Sequence, residues 1–346
     1  MKQKSILITG GCGFIGCNTA ARLAAMGHVV TIYDDLSRPL TELNLQWLRD
    51  RAKIEFVRGD VRDRANLFNA VKVGRFDAVV HLAAQVAVTT SVANPLHDFE
   101  VNAAGTLNVL EAIRQFSPHS VILYSSTNKV YGKLAGVAVQ EMERRYVTPA
   151  LAGGVSENHP LDFHSPYGCS KGCADQYVVD YARIFGLRTV CLRQSCIYGQ
   201  RQFGVEDQGW VAWFTIAHTL AKDVTIYGNG KQVRDVLFVE DLVDCYLACM
   251  ERIDSVSGQT FNIGGGPANS LSLLEFVDLL EQLAGSRLKY SFADWRPGDQ
   301  PVYISDITKA ASLLGWKPRT DARAGIGRLI EWVVENRRAF GVATKR

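Results

Sequence analysis

The chain has no basic tract. Its 38 Lys and Arg stand against 35 Asp and Glu, a formal net charge of +3 over 346 residues. So small an excess, spread along the chain, argues against a nucleic-acid partner. Long hydrophobic runs are missing as well. The longest, around Ala78–Val88, is interrupted by His81 and Gln85 and is too short and too polar to span a bilayer, so no membrane partner is expected. The opening Met1-Lys-Gln-Lys lacks the apolar stretch and small-residue cleavage site of a secretory signal, which makes a cytoplasmic location the expectation. CxxC spacing is absent too. The 8 cysteines fall into near pairs, Cys12/Cys17, Cys169/Cys173, Cys191/Cys196 and Cys245/Cys249, with no histidine at ligand spacing. Neither a metal site nor a disulfide framework is expected, and all eight are read as buried, reduced thiols. No internal repeat or low-complexity segment is visible.

What is present is a core-forming composition, 47% hydrophobic and 21% charged. That suits one large or two modest domains. Short β-branched or apolar runs stand at Ser5–Thr9, Val29–Tyr33, Ile54–Val57, Ala78–His81, Ser120–Tyr124 and Arg188–Leu192. Helical patterns lie between them, as at Phe14–Met26, Arg64–Lys72 and Tyr167–Ile184. The alternation implies a parallel sheet covered on both faces. Beyond Arg193 the strand-like pieces shorten, with helices expected over Glu240–Arg252, Ser272–Ala284 and Asp321–Phe340, the last capped by Asp321 and packing through Ile326, Leu329, Ile330 and Val333. Lys133–His159 has no clear period and is long for a loop, the signature of a lid.

Ser5–Thr9 runs into Gly10-Gly-Cys-Gly-Phe-Ile-Gly16 and then a helix. Such a turn lets the backbone approach a pyrophosphate at a helix N-terminus. Asp34 ends the second strand, where a carboxylate binds ribose hydroxyls and favours NAD; Arg38 close by leaves a 2′-phosphate open. Asp60 and Val61 after the third strand, and Leu82, Ala83, Ala84 and Gln85 after the fourth, fall at carboxyl ends of strands, where open α/β sheets bind ligands. His81 is expected to be a buried, hydrogen-bonded strand residue. The candidate cofactor set is Gly10, Gly13, Phe14, Ile15, Gly16, Asp34, Leu36, Ser37, Arg38, Asp60, Val61, Leu82–Gln85, Asn102, Ser125, Tyr167, Lys171 and Ser195. The expected fold is α/β: a Rossmann-type doubly wound parallel sheet over 1–193, with a smaller C-terminal α/β substrate-binding domain over 194–346, some of whose chain crosses back.

Ser165-Pro-Tyr-Gly-Cys-Ser-Lys171 puts Tyr167 and Lys171 four apart, on one face of a helix start. A free tyrosine, with a pKa of about 10, is a poor base at neutral pH. A neighbouring ammonium and a nicotinamide cation would stabilise its phenolate. The hydroxyl cluster Ser125-Ser126-Thr127 can share the proton of a substrate alcohol. This pattern supports alcohol/ketone redox chemistry.

With these motifs the chain resembles the extended short-chain dehydrogenase/reductases that modify nucleotide sugars. Further carriers are His81-Leu-Ala-Ala-Gln85, Tyr124–Gly132 (YSSTNKVYG), Ile197-Tyr-Gly199, Gln232-Val-Arg-Asp235, Asn262-Ile-Gly-Gly265 and Arg296-Pro-Gly-Asp299. The resemblance implies that Thr127 assists Tyr167, that Lys171 also holds the nicotinamide ribose, and that Arg234 and Arg296 grip the substrate diphosphate. The implied substrate set is Gln85, Thr127, Asn128, Cys196, Arg201, Arg234 and Arg296. Cys196 stands where many members carry Asn. Sugar 4,6-dehydratases of the family carry Asp-Glu after the catalytic Thr; Asn128 and Lys129 stand there, which disfavours elimination of water. The stretches Leu161–Gly172, Arg201–Phe203, Asp207–Trp210 and Gly228–Asp235 resemble the branch that inverts C2 of a CDP-hexose of the paratose and tyvelose type. That implies oxidation at C2 by tightly bound NAD, a transient 2-keto sugar, and reduction from the other face. The alternatives are a C4 epimerase or another redox enzyme of UDP-, GDP- or dTDP-sugars, and a non-catalytic NAD-binding module. The resemblance also implies a homodimer or a tetramer, with a nucleotide sugar as the small-molecule partner and O-antigen-type carbohydrate synthesis as the setting.

Overall fold

The computed structural model describes residues 2–296 and 299–342; Met1, Pro297, Gly298 and residues 343–346 lie outside the described residues, and with them the middle of the Arg296–Asp299 motif. β1 (Ser5–Thr9), β2 (Val29–Asp34), β3 (Ile54–Arg58), β4 (Ala78–His81) and β5 (Val121–Thr127) share one sheet with the strands Arg188–Gln194 and Gln259–Ile263. Its order is Gln259–Ile263, Arg188–Gln194, β5, β4, β1, β2, β3, and every neighbouring pair is parallel. Crossing from β4 to β1 to β2 reverses the direction of winding, and that reversal opens the crevice used by ligands in such sheets.

Both faces of the sheet are buried, which is why its strands read as unbroken apolar runs. Successive side chains serve opposite faces. Ile6, Ile8, Ala78, Val80, Val121 and Leu123 enter one core. Leu7, Val79, Ile122 and Tyr124 enter the other. α1 (Phe14–Ala25) and α2 (Thr41–Arg49) pack on the first face, and α3 (Arg64–Gly74) and the long helix Ser165–Phe185 on the second.

A second, smaller sheet centres on Val233–Phe238, which pairs with Ser270–Ser272, Val302–Tyr303 and Cys196–Tyr198. Its core gathers Phe214, Phe238, Phe276, Ile326, Leu329 and Trp332. The helix Leu273–Ala284 starts with a full capping box between Ser272 and Glu275. Asp321 caps the next long helix, accepting from Ala324 N at 2.7 Å. That helix runs Ala322–Glu335 rather than to Phe340, and a separate short helix, Arg337–Val342, folds Phe340 back against Phe203 and Trp332.

Lys133–His159 is not a loose flap. It holds a small hairpin and places Leu134 and Val155 in a cluster with Val130, Tyr131 and Tyr303. Asn262 Nδ2 donates to Val155 O at 2.8 Å, and Tyr146 N donates to Lys231 O at 2.9 Å. Hydrogen bonds and apolar contacts with remote parts of the chain, rather than local periodicity, order this segment. The cysteines are also less uniform than expected: Cys169 is exposed and Cys173 and Cys196 are half-buried, while the other five are buried.

Candidate active site

The candidate residues collect at the carboxyl ends of β1 to β5 and of Arg188–Gln194. The glycine turn leaves β1 with Gly10 at φ +68°. A Cβ on Gly10 would lie 2.7 Å from Ala83 N, and one on Gly16 would lie 2.4 Å from Gly10 O. Side chains are therefore sterically excluded where β1, α1 and the end of β4 meet. Gly13 caps α1 with no side-chain hydrogen bond, so the first turn of α1, at Phe14 and Ile15, has no capping side chain of its own. That cradle fits a dinucleotide diphosphate.

Asp34 is buried and accepts from Cys12 N and Leu36 N, each at 2.9 Å. It therefore clamps the glycine turn to the end of β2. Burial raises its pKa, and these two backbone bonds oppose the rise. Ser37 Oγ bonds Asp35 at 2.7 Å. Arg38 reaches Gln208, on the far wall of the crevice. Asp60 is forked by Arg62, at 2.9 Å from Nε and 2.6 Å from Nη2. A cleft of about 500 Å³ opens beside it, lined by Asp60, Arg62, Asp63, Glu100, Ala104 and Asn108. Val61 is buried, and its carbonyl accepts from Asn108 Nδ2 at 3.0 Å. Leu82 N and Ala83 N both point to Thr9 Oγ1, at 3.2 and 3.3 Å; Ala84 follows half-buried. His81 is the expected buried strand histidine, bonded to Thr9 at 2.6 Å and Thr106 at 3.0 Å. Burial, aided by the Lys171 charge, lowers its pKa to about 3 and keeps it neutral.

Thr127, Tyr167 and Lys171 come together at the end of β5, all under 10% exposed (6, 9 and 4%). Burial pushes the Tyr167 phenol up to about 12, a hydrogen bond with Thr127 pulls it down, and the Asp98 charge adds to the rise. Burial lowers Lys171 to about 8, against the opposing pull of Cys191, Asp175 and Asp98. Its Nζ is turned to the end of β5. It donates to Ser125 O at 2.5 Å and lies 4.4 Å from the Tyr124 ring centre. Burial thus holds the phenol above its ordinary value, and a positive charge entering the crevice would lower it.

Asp98, Ser170, Asp175 and Arg193 escaped the sequence reading and brace residues that it named. Asp98 accepts from Gln85 Nε2 at 2.9 Å and Asn102 Nδ2 at 3.2 Å, and takes the Ser170 hydroxyl. Asn102, in the π-helical turn Glu100–Ala104, grips Gln85 through its backbone at 2.9 and 3.0 Å. Ser170 in turn donates to Tyr167 O at 3.2 Å. Behind Lys171, Asp175 receives Arg193 Nε at 2.9 Å and Nη2 at 2.8 Å, and Ser126 Oγ at 2.7 Å. Burial would raise Asp175, but Arg193 holds it below the usual carboxylate range. The one available signal was an acid four residues beyond Lys171 on the same helix face.

On the other wall, Asn128 is buried beside Thr127, 3.4 Å from its hydroxyl. Trp210 Nε1 donates to Cys196 Sγ at 3.4 Å. Arg234 pairs with Asp299 at 2.5 Å, and Arg296 pairs with Asp207 at 3.1 Å and stacks 4.0 Å from the Tyr227 ring centre. Ser195 gives its hydroxyl to Asp235. Arg201 is not brought to this wall. Its guanidinium bonds Asn44 Oδ1 at 2.8 Å and Leu43 O at 2.9 Å and lies between Trp47 and Trp332. The left-handed backbone at Arg201, φ +66°, turns the side chain away towards α2.

A family profile described as GDP-mannose 4,6 dehydratase matches residues 7–329. The chain is 46% identical over 332 residues to a CDP-paratose 2-epimerase of Salmonella typhi, covering 94% of this chain and 98% of the relative. It superposes with a TM-score of 0.82 on the UDP-glucose 4-epimerase of Thermotoga maritima solved with UDP-glucose, at 30% identity, covering 96% of this chain and 99% of that one. The UDP-glucose 4-epimerase of Thermus thermophilus, solved with NAD, gives 0.80 at 29% identity, covering 95% and 98%.

Proposed function

The chain belongs to the GDP-mannose 4,6 dehydratase family of extended short-chain dehydrogenase/reductases, and on that premise we propose that it is an NAD-dependent nucleotide-sugar epimerase that inverts C2 of a CDP-hexose of the paratose and tyvelose type. The observation that carries the chemistry is Tyr167, buried against Thr127 where no carboxylate follows on β5. The C2 and CDP assignments are supported by the extent of the likeness to the Salmonella relative.

The glycine turn, the first turn of α1, Asp34 and the ends of β3 and β4 would hold NAD, with Ser125, Ser195, Asn102 and Gln85 lining or bracing the nicotinamide end. When bound, NAD supplies the hydride acceptor and donor. Tyr167 takes the proton of the sugar alcohol, and Thr127 shares it. Lys171 stabilises the phenolate by its charge and keeps the end of β5 in register through Ser125 O. Tight walls around the three residues exclude water, which protects a 2-keto sugar while it turns. Asn128, Cys196, Gln85, Arg234 and Arg296 would face the nucleotide sugar, the two guanidinium forks suiting phosphate oxygens. Asn128 and Lys129 stand where a carboxylate pair would follow Thr127, so elimination of water has neither its acid nor its base there.

The domain division at 193/194 is retained as part of this proposal, with Gln259–Ile263 as the segment that crosses back. A homodimer is supported by apolar side chains left exposed on adjoining helices: Val92, Leu96 and Phe99, with Tyr177, Ile184 and Phe185 on Ser165–Phe185. No described helix is long and apolar enough to cross a membrane; the free cysteines support the cytoplasm as the proposed location.

The test is to supply CDP-, UDP-, GDP- and dTDP-sugars and follow C2 stereochemistry, with deuterium at C2. Retention of the label at C2 in the product supports the reading; loss to solvent, or inversion only at C4, overturns it. The second result would favour the C4 epimerase reading, which the structural likeness to UDP-glucose 4-epimerases keeps in view.

A further inference from the structure

Lys129 lies on the 3-10 turn Asn128–Tyr131 directly after β5. Its backbone N–H donates to Thr127 Oγ1 at 3.2 Å, which ties the residue to the hydroxyl that serves Tyr167. The side chain crosses to the opposite wall. Lys129 Nζ stands 3.9 Å from Asp299 Oδ1, the same oxygen that takes Arg234 Nη2 at 2.5 Å. The three side chains are 24, 25 and 10% exposed for Lys129, Asp299 and Arg234. Among the described residues Nζ makes this loose ion pair and no hydrogen bond, so its three donors are unspent. A charge-assisted hydrogen bond would bring the atoms to about 2.7–2.9 Å.

The cluster does not balance. Two cations share one carboxylate, leaving one positive charge in a partly buried cluster. The neighbouring Asp235 does not offset it. It is already engaged by Ser195 and by Gly266 N at 3.1 Å. Burial and the Arg234 charge lower the Lys129 pKa, against the pull of Asp299. An unbalanced, partly buried charge is unfavourable unless an anion completes it. The cluster therefore favours an incoming anion with more than one oxygen.

We propose that Lys129 is a binding and specificity residue that takes the sugar-side phosphate of a nucleoside diphosphate sugar jointly with Arg234, while Asp299 holds the two cations together until that phosphate arrives. The proposal rests on the nucleotide-sugar reading above and adds a residue to it. Lys129 is assigned the sugar-side phosphate because it is two residues from Thr127, where the alcohol reacts, whereas Arg234 comes from the other sheet. A cation at this position also accounts for the loss of elimination chemistry: an ammonium cannot accept a C–H proton. It would instead hold the phosphate as a pivot about which the sugar turns.

Calorimetric titration of the NAD-loaded protein with CDP, CMP and cytidine tests this, using wild type, Lys129→Met and Lys129→Arg. Lys129→Met should weaken CDP about tenfold, or roughly 1.4 kcal/mol, and weaken CMP far less. It should leave cytidine and the bound NAD unchanged, and Lys129→Arg should recover most of the loss. CDP binding within twofold of wild type in Lys129→Met overturns the proposal, as does an equal loss for CDP and cytidine. If wild type binds no CDP, UDP, GDP or dTDP, the nucleotide-sugar reading falls as well; wild-type binding that Lys129→Met leaves intact sinks this proposal alone.

Discussion

Replacing Lys171 by methionine should remove most turnover while leaving the fold at neutral pH about as stable as before. The residue is 4% exposed, and burial lowers its pKa from 10.5 to about 8. That gap, 10.5 minus about 8, corresponds to roughly 3.4 kcal/mol of cost for keeping the charged form inside, at about 1.36 kcal/mol per unit. Methionine removes this cost. It also removes the Nζ bond to Ser125 O, leaving a buried carbonyl short of a donor at about 1–3 kcal/mol. The cation over the Tyr124 ring is lost too, at about 1–2 kcal/mol. The opposing terms nearly cancel, so unfolding in urea at about pH 7.5 should differ from wild type by less than about 1.5 kcal/mol. Alkaline pH separates the two proteins. The folded lysine loses its proton near pH 8 and the unfolded one near 10.5, so the unfolded state binds more protons between those values. Wild-type stability therefore rises through that window relative to the variant, by roughly 2 kcal/mol on going from about pH 8 to about pH 9.5. Turnover should fall by at least about a hundredfold with NAD still bound, the scale of a lost acid–base partner. A loss above about 3 kcal/mol at neutral pH would make Lys171 a structural cation. A stability difference that stays flat with pH, or turnover near wild type, would refute the argument outright.

Asp175→Ala should cost about 3–5 kcal/mol by stranding the Arg193 charge. With roughly 0.7 kcal/mol/K of unfolding entropy for 346 residues, that lowers the melting temperature by about 4–7 °C; calorimetry showing no drop would contradict the reading of the pair. Gly16→Ala puts a Cβ 2.4 Å from Gly10 O, so the purified protein should carry several-fold less NAD by absorbance after denaturation; full occupancy would mean the turn does not cradle it. Arg201→Met should lower stability by about 2 kcal/mol through lost bonds to α2 while leaving KM for the nucleotide sugar within twofold, whereas a tenfold KM rise at unchanged stability would return Arg201 to the substrate wall. In a thiol titration of the folded protein Cys169 should react first, the half-buried Cys173 and Cys196 more slowly, and the other five only on unfolding; rapid reaction of Cys245 or Cys249 would contradict their burial.

Six of the seven strands of the main sheet were legible because both of its faces are buried; Gln259–Ile263, which joins it from the far end of the chain, was not among them. Ser5–Thr9 and Ala78–His81 can be read to the residue from their apolar runs. The glycine turn, Asp34, and the Tyr167/Lys171 spacing were legible for a related reason: local backbone geometry and helix periodicity constrain them within a few residues. Lys133–His159 has no local period to read because its order comes from Tyr303, Asn262 and Lys231, more than 80 positions away. The end of the helix begun by Asp321 was missed for a comparable reason, since aromatic packing of Phe340 on Phe203 and Trp332 overrides its helical pattern.

By itself, then, the sequence determined the alternating parallel architecture, the glycine turn and which residues are candidates for the alcohol chemistry, because each depends on short-range spacing. Only the tertiary structure decided how those residues are charged and where they point. It turned Lys171 to the Ser125 carbonyl, buried Asp98 and Asp175 behind the pair, sent Arg201 to α2, and set Lys129 and Arg234 on one carboxylate. Those outcomes follow from burial and from partners on remote strands, which no local pattern of residues encodes.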